Sequence, residues 1–184
     1  MLKCILGLCN YIGGQLLIDG VSTDNFQVQR GNIGYVKQEI SLYPHLTVYE
    51  NIAFPLRTIH TAQEEVDRRV KEIASLLEIE WLLTRKPKQL SGGQNQRVAL
   101  ARALVKNPVT VLFDEPFSNI DPALRTQLRL LVKKIHDAFG CTILFVTHDL
   151  ADALSLADRV VILDNGSIVA VGTPQELMEK GYLQ

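Results

Sequence analysis

At 184 residues, 47% apolar and 21% charged, the chain has the composition of an ordinary water-soluble domain and enough length to bury a core. A net charge of −1 and a pI of 6.4, with arginines and lysines scattered along the chain, argue against nucleic acid as a partner. No apolar run approaches a membrane span, and the opening MLKCILGLC, with a short apolar stretch and a bulky leucine before Cys9, argues against a cleaved or lipid-modified leader.

The elements follow in chain order. Near the N-terminus QLLIDG and NIGYVKQ read as strands. From about Leu46 to Leu104 the pattern is mostly helical, and TAQEEVDRRVKEIASLLEI is a charged amphipathic helix with one apolar stripe. VTVLF (Val109–Phe113) and TILFV (Thr142–Val146) are apolar on both faces, as parallel strands inside a sheet require. Between them DPALRTQLRLLVKKIHDAFG has helical spacing, with Pro122 near its start and Gly140 after its end, which completes a βαβ unit. RVVILDNGSIVAVG reads as a hairpin around Asn165-Gly166, followed by a short helix opening at Pro174. The expected plan is α/β with a helical insertion between Gln38 and Ser91. Cys4, Cys9 and Cys141 form no CxxC pair and are expected to be buried, reduced thiols of a cytosolic protein rather than a disulfide or metal site.

Chemistry concentrates in three places. VLFDEP delivers Asp114 and Glu115 to the C-terminal end of a buried strand, where ligands bind in open α/β sheets. Successive residues point to opposite sides, so Asp114 suits a Mg²⁺ ion and Glu115 an attacking water. An Asp-Glu pair alone is as compatible with a solvated loop; its neighbours favour a site. VTHD sets His148 just past the next buried strand, on the rim expected for Glu115, where an imidazole can meet a phosphate or that water. His45, His60 and His136 have no such neighbours and read as ordinary loop or helix residues. LSGGQ supplies the third: Ser91 suits an N-cap, while Gly92 and Gly93 let the backbone approach an anion at the positive end of a helix.

With these motifs in order, the chain resembles the nucleotide-binding subunit of an ABC transporter over its whole length. YVKQ, with Gln38, corresponds to the family's Q-loop, LSGGQ to its signature, VTVLFDEP to Walker B, SNID to the D-loop and VTHD to the H-loop. SLYPHLTVYENIAFPLR, FSNIDPALR and ALSLADRVVILDNGSIVAVGTPQEL further resemble ATPases of importers for sugars, polyamines, sulfate or ferric iron. The resemblance implies a P-loop NTPase-like parallel sheet with a helical subdomain at about 39–104, followed by Walker B, D-loop, H-loop and hairpin over 105–184. It implies ATP and Mg²⁺ as cofactors, with Asp114 and Gln38 at the metal, Glu115 as catalytic base, His148 on the γ-phosphate and Gln38 linking the site to the membrane partner. Ser91, Gly92, Gly93 and Gln94 would face ATP held by a second ATPase subunit, and Ser118 and Asp121 would lie at that interface. Transmembrane permease subunits would dock on the helical segment, placing the chain on the cytoplasmic face of the membrane.

One family motif has no counterpart: no glycine in the chain is followed by lysine, so the phosphate loop GxxxxGK[ST] does not occur. By the resemblance, Met1 falls inside the helix that follows that loop, and the strand feeding the loop would lie beside TILFV. The expectations are an unpaired apolar edge there, an isolated chain that is insoluble or partly molten, no tight ATP binding, and Met1 as an internal methionine of a longer protein. Two readings follow: an importer ATPase represented by a fragment, or a non-hydrolysing partner that donates LSGGQ to a complete subunit. A non-transport ABC ATPase fits less well, since repair members carry a long coiled coil between Q-loop and signature.

Overall fold

The computed structural model describes residues 1–10, 12–18, 20–22, 33–118 and 120–183. A single turn of helix, α1 (Leu2–Ile5), precedes a small antiparallel pair, β1 (Leu17–Ile18) and β2 (Val21–Ser22). Among the described residues the strand expected over QLLIDG covers Leu17–Ile18, with Leu17 53% exposed; Asp19 lies outside the described residues.

The sheet that positions the site has three parallel strands, β3 (Ile33–Val36), β4 (Thr110–Asp114) and β5 (Thr142–Val146), in that order. Gly34 pairs with Val111 and Val111 with Ile143, so the three strands end on one rim. The central position explains the composition of β4: Val111, Leu112 and Phe113 are fully buried. Phe113 and Phe117 both pack on Phe145, with ring centroids 5.5 and 5.4 Å apart. Among the described residues no strand pairs with the outer edge of β5, whose Ile143–Val146 stay half-buried. The apolar edge expected at TILFV is open.

Between β3 and β4 lie α2 (Val48–Arg57), α3 (Gln63–Leu76) and α4 (Gly92–Leu104), joined through 3-10 turns at Glu80–Leu82 and Pro87–Gln89. Thr47 caps α2 through a reciprocal box with Glu50. Asn51, fully buried, accepts from the Tyr43 N–H at 2.8 Å and donates to the carbonyls of Tyr43, Leu46 and Thr47. Its amide thereby satisfies the loop leading from Gln38 into the helices. The apolar faces of α2, α3 and α4 converge on one core with β3, β4 and the inner face of α5 (Pro122–Phe139). After β5 come α6 (Leu150–Leu156), the hairpin β6 (Val160–Asp164) and β7 (Ser167–Gly172), and α7 (Pro174–Glu179). Asn165 and Gly166 take φ of 46° and 79°, the left-handed pair a two-residue hairpin turn needs.

Where α4 presses on β3, Gly34 is irreplaceable for a steric reason: an added Cβ would lie 2.8 Å from the Ala103 carbonyl oxygen and 3.2 Å from Pro108. Gly34→Val is expected to destabilise the fold by roughly 1–3 kcal/mol through overpacking, read as a lowered denaturation midpoint; an unchanged midpoint would show that the helix yields freely.

Cys141 is buried as anticipated, but Cys4 is half-buried and Cys9 exposed, so the expectation of three buried thiols fails at the N-terminus. The reason is local. Past Ile5 the chain turns back at Gly7, at φ 63°, with Gly7 and Leu8 donating to the Cys4 and Lys3 carbonyls, and this turn carries Cys9 to the surface.

Candidate functional site

The ends of all three sheet strands contribute to one cluster. β3 runs out at Val36 and delivers Gln38; β4 ends at Asp114, with Glu115 beyond it at φ 45°; β5 ends at Val146, two residues before His148. Glu115 is held in its left-handed conformation by the N–H···O bond from its own amide to the Val146 carbonyl, 2.9 Å. A single oxygen, Glu115 Oε2, lies 3.3 Å from Gln38 Nε2 and 3.1 Å from His148 Nδ1. Gln38 Nε2 also reaches Ser118 Oγ at 3.5 Å, and Ser118 in turn donates to the Glu115 carbonyl at 3.1 Å. His148 is 70% exposed and Glu115 30%, so the carboxylate is sheltered while the imidazole faces solvent.

Asp114 points the other way. Its Oδ2 accepts the Tyr35 hydroxyl at 3.0 Å. Burial first, and then this bond to a carboxylate, raises the phenol above its ordinary pKa, which keeps the hydroxyl a donor. Tyr35 was legible only as part of YVKQ; it stands one residue before the end of β3, opposite Leu112, and its hydroxyl reaches Asp114.

A second layer fixes the two loops. Asp121 caps α5 by accepting from the Leu124 N–H at 3.0 Å. One turn on, Arg125 donates to the Phe117 carbonyl at 2.8 Å and to Asp149, which caps α6 next to His148. Arg129 donates to the buried Asp152 at 2.5 Å, and Thr147 donates to the same carboxylate at 3.2 Å. Burial works against the charged form of Asp149, but N–H bonds from Asp152 and Ala151, with Arg125 and Arg129 nearby, hold it below the usual carboxylate range. Arginine at i and i+4 facing aspartate at i and i+3 is the sequence signal for this lattice, masked because α5 also carries solvent-facing charges such as Lys133 and Lys134.

The signature residues do not join this cluster. Ser91, Gly92, Gly93 and Gln94 form their own N-terminus on α4: Ser91 Oγ accepts from the Gln94 N–H at 3.2 Å, and the Gln94 side chain accepts from the Ser91 N–H at 2.9 Å. The box orders the turn without consuming the Ser91 hydroxyl proton. Gly92 and Gly93 supply the first N–H groups of a 13-residue helix, donors with no partner inside the helix itself. Gly93 has a packing reason as well: a Cβ there would lie 2.5 Å from a methyl of Leu124, on the first turn of α5 after Asp121. Gln96, one turn on and buried, donates to the Pro116 carbonyl at 2.9 Å and ties α4 to the end of β4.

The donor set fits a hard cation held partly by substrate. Asp114, held by Tyr35, and Gln38, held by Glu115 and Ser118, are the candidate oxygen ligands, and Mg²⁺ ordinarily takes one or two protein oxygens, with phosphate and water completing its shell. Among the described residues no group of three or more His, Cys, Asp or Glu side chains is placed to hold a metal ion. The cluster by itself does not cradle a whole triphosphate: its side chains are the carboxylates of Asp114 and Glu115, the neutral donors Tyr35, Gln38 and Ser118, and the His148 imidazole, and GxxxxGK[ST] does not occur in the sequence.

Comparison with known proteins identifies the family. The family model described as ABC transporter matches residues 1–118. The chain is 46% identical over 180 residues to an sn-glycerol-3-phosphate import ATP-binding protein, UgpC 3, of Agrobacterium fabrum, covering 98% of the chain and 51% of that protein. It is 43% identical over 177 residues to the maltose/maltodextrin import ATP-binding protein MalK of Vibrio vulnificus, covering 96% and 48%. The chain thus spans about half the length of the curated relatives it matches. Of solved structures, cbiO1 from Clostridium perfringens, part of the ABC transporter complex cbiONQ, superposes with a TM-score of 0.90 at 26% identity, covering 98% of this chain and 74% of that one. The ATP-binding cassette MJ0796, a dimer bound to ADP and Pi, superposes with 0.79 at 34% identity, covering 94% and 78%. Strand-end cluster, capped signature turn and these matches lead to one conclusion: the chain belongs to the ABC transporter family, among its ATP-binding subunits.

Proposed function

We propose that the chain is an energy-coupling ATPase subunit of an ABC importer, working in a dimer of ATPase subunits on the cytoplasmic face of a permease. The observation that carries this is the convergence of Gln38 and His148 on one oxygen of Glu115. Glu115 is the general base: a carboxylate at a strand end, kept in place by an amide on one side and an imidazole on the other. His148, reaching over it from the next strand, meets the terminal phosphate and holds the attacking water in line. Asp114 and Gln38 would hold Mg²⁺, which would supply charge neutralisation for the phosphates. Gln38 contacts the base, and it begins the loop that Asn51 staples to α2. Beside that loop a cavity of about 170 Å³, lined by Tyr35, Lys37, Ile40, Tyr43 and Arg102, gives a permease element a place to press. The importer relatives support the transport assignment, and the solute is chosen by other subunits. No helix among the described residues is long and apolar enough to cross a membrane.

A second reading has its own observation. The signature turn is fully formed and stands apart from the Glu115 cluster; a subunit contributing this turn alone would close a partner's ATP site without turning over its own. Purifying the importer complex through a tag on this chain, then comparing Glu115→Gln with Ser91→Arg, separates the two. Loss in both variants supports the ATPase, and loss in Ser91→Arg alone supports the donor.

Either way the chain by itself is expected to bind Mg-ATP with a dissociation constant weaker than about 1 μM, because the phosphate charges meet carboxylates and no lysine. Isothermal titration checks this, and a submicromolar constant sinks it.

A further inference from the structure

We propose that Cys4 and Cys9 are a redox-responsive thiol pair that a hydroperoxide converts to an intrachain disulfide. Their Sγ atoms lie 3.1 Å apart, in hydrogen-bond contact. A disulfide is about 2.05 Å long, so bond formation requires an approach of only about 1 Å. That approach is local. Cys4 lies in the last turn of α1, Cys9 ends the turn at Gly7, and two backbone bonds of 2.8 Å, from Gly7 and Leu8 back to Cys4 and Lys3, already hold the chain in the returning shape. Cys9 is exposed and Cys4 half-buried, so oxidant reaches the pair from solvent, whereas Cys141 is 3% exposed and shielded.

Cys9 is the thiol that oxidant meets first. Its thiolate attacks one peroxide oxygen, the O–O bond breaks, and water leaves as Cys9 becomes a sulfenic acid. The Cys4 thiolate then attacks the Cys9 sulfur and expels hydroxide, which takes the remaining proton. Two thiols have lost two hydrogens, and hydrogen peroxide has been reduced to two waters. The hydrogen bond with Cys4, the largest cause, and then burial raise the Cys9 pKa, so the reaction should quicken as pH rises above neutral.

The test needs no nucleotide and is independent of the ATPase reading. Cells expressing the chain are exposed to hydrogen peroxide, quenched in acid and alkylated, and the chain is mapped by mass spectrometry. The same treatment of the chain unfolded in urea gives the reference rate. The expected result is a Cys4–Cys9 linked peptide, free Cys141, reversal by dithiothreitol, and formation at least about tenfold faster than in urea. Cys4→Ser is expected to leave Cys9 as a sulfenic acid trapped by dimedone. Three alkylated cysteines after oxidation, cross-linked dimers in place of the internal link, or a rate no faster than in urea would each overturn the proposal.

Discussion

Glu115→Gln, in the importer complex captured through this chain, is expected to lower ATP turnover by about 10²–10⁴-fold while leaving KM for ATP nearly unchanged. The substitution is close to isosteric. A glutamine there still presents an oxygen to Gln38 Nε2, at present 3.3 Å from the carboxylate, and still donates its own amide N–H to the Val146 carbonyl, which holds the φ of 45°. What disappears is the capacity to take a proton from water. The His148 contact, 3.1 Å in length, loses its charge assistance too, but His148 is largely exposed and retains its place through Asp149, which Arg125 grips. The effect therefore belongs to the chemical step, and steady-state kinetics with a parallel nucleotide-binding measurement will resolve it. Turnover within about twofold of the parent, with nucleotide bound normally, would remove Glu115 from the role of base.

Much of this arrangement was legible before any coordinates, and the reasons differ by element. The runs VTVLF and TILFV are apolar on both faces because β4 is buried between two strands and β5 packs on its phenylalanines, and such runs have few alternatives. Asn165-Gly166 fixes a hairpin by local backbone preference alone. Ser91 with Gln94 is a capping box that can be read from spacing. The failures share a different cause. Cys9 reads as a core residue because it lies amid leucines, yet the turn at Gly7 redirects it outward. The lattice of Arg125, Arg129, Asp149 and Asp152 was hidden because charged residues on an amphipathic helix ordinarily face water. Only the crossing of α5 over α6 turns these inward. Pairings that depend on how two helices meet are tertiary facts, and composition cannot announce them.

Ser91→Arg is expected to abolish most ATP turnover in the same complex, by about 10²–10³-fold, whichever of the two readings holds. The change acts twice. It removes the cap that accepts the Gln94 N–H, at a cost of about 0.5–2 kcal/mol to the helix end, and it sets a long side chain across the N–H groups of Gly92 and Gly93, the part of α4 aimed at an incoming phosphate. Gly93 sits against the Leu124 side chain, so a retreat of the turn would have to displace that leucine. Ser91→Thr retains the cap and the hydroxyl proton and should keep most of the activity, which separates loss of the anion site from loss of fold. The decisive comparison sets Ser91→Arg beside Glu115→Gln. In a pair of equivalent ATPase subunits both changes silence turnover, since each site needs one subunit's base and the other's signature. In a mixed pair where this chain only closes its partner's site, Ser91→Arg silences turnover and Glu115→Gln does not, because the base acting there belongs to the partner. Full activity in Ser91→Arg would defeat both readings at once and reduce the LSGGQ turn to a well-capped helix start.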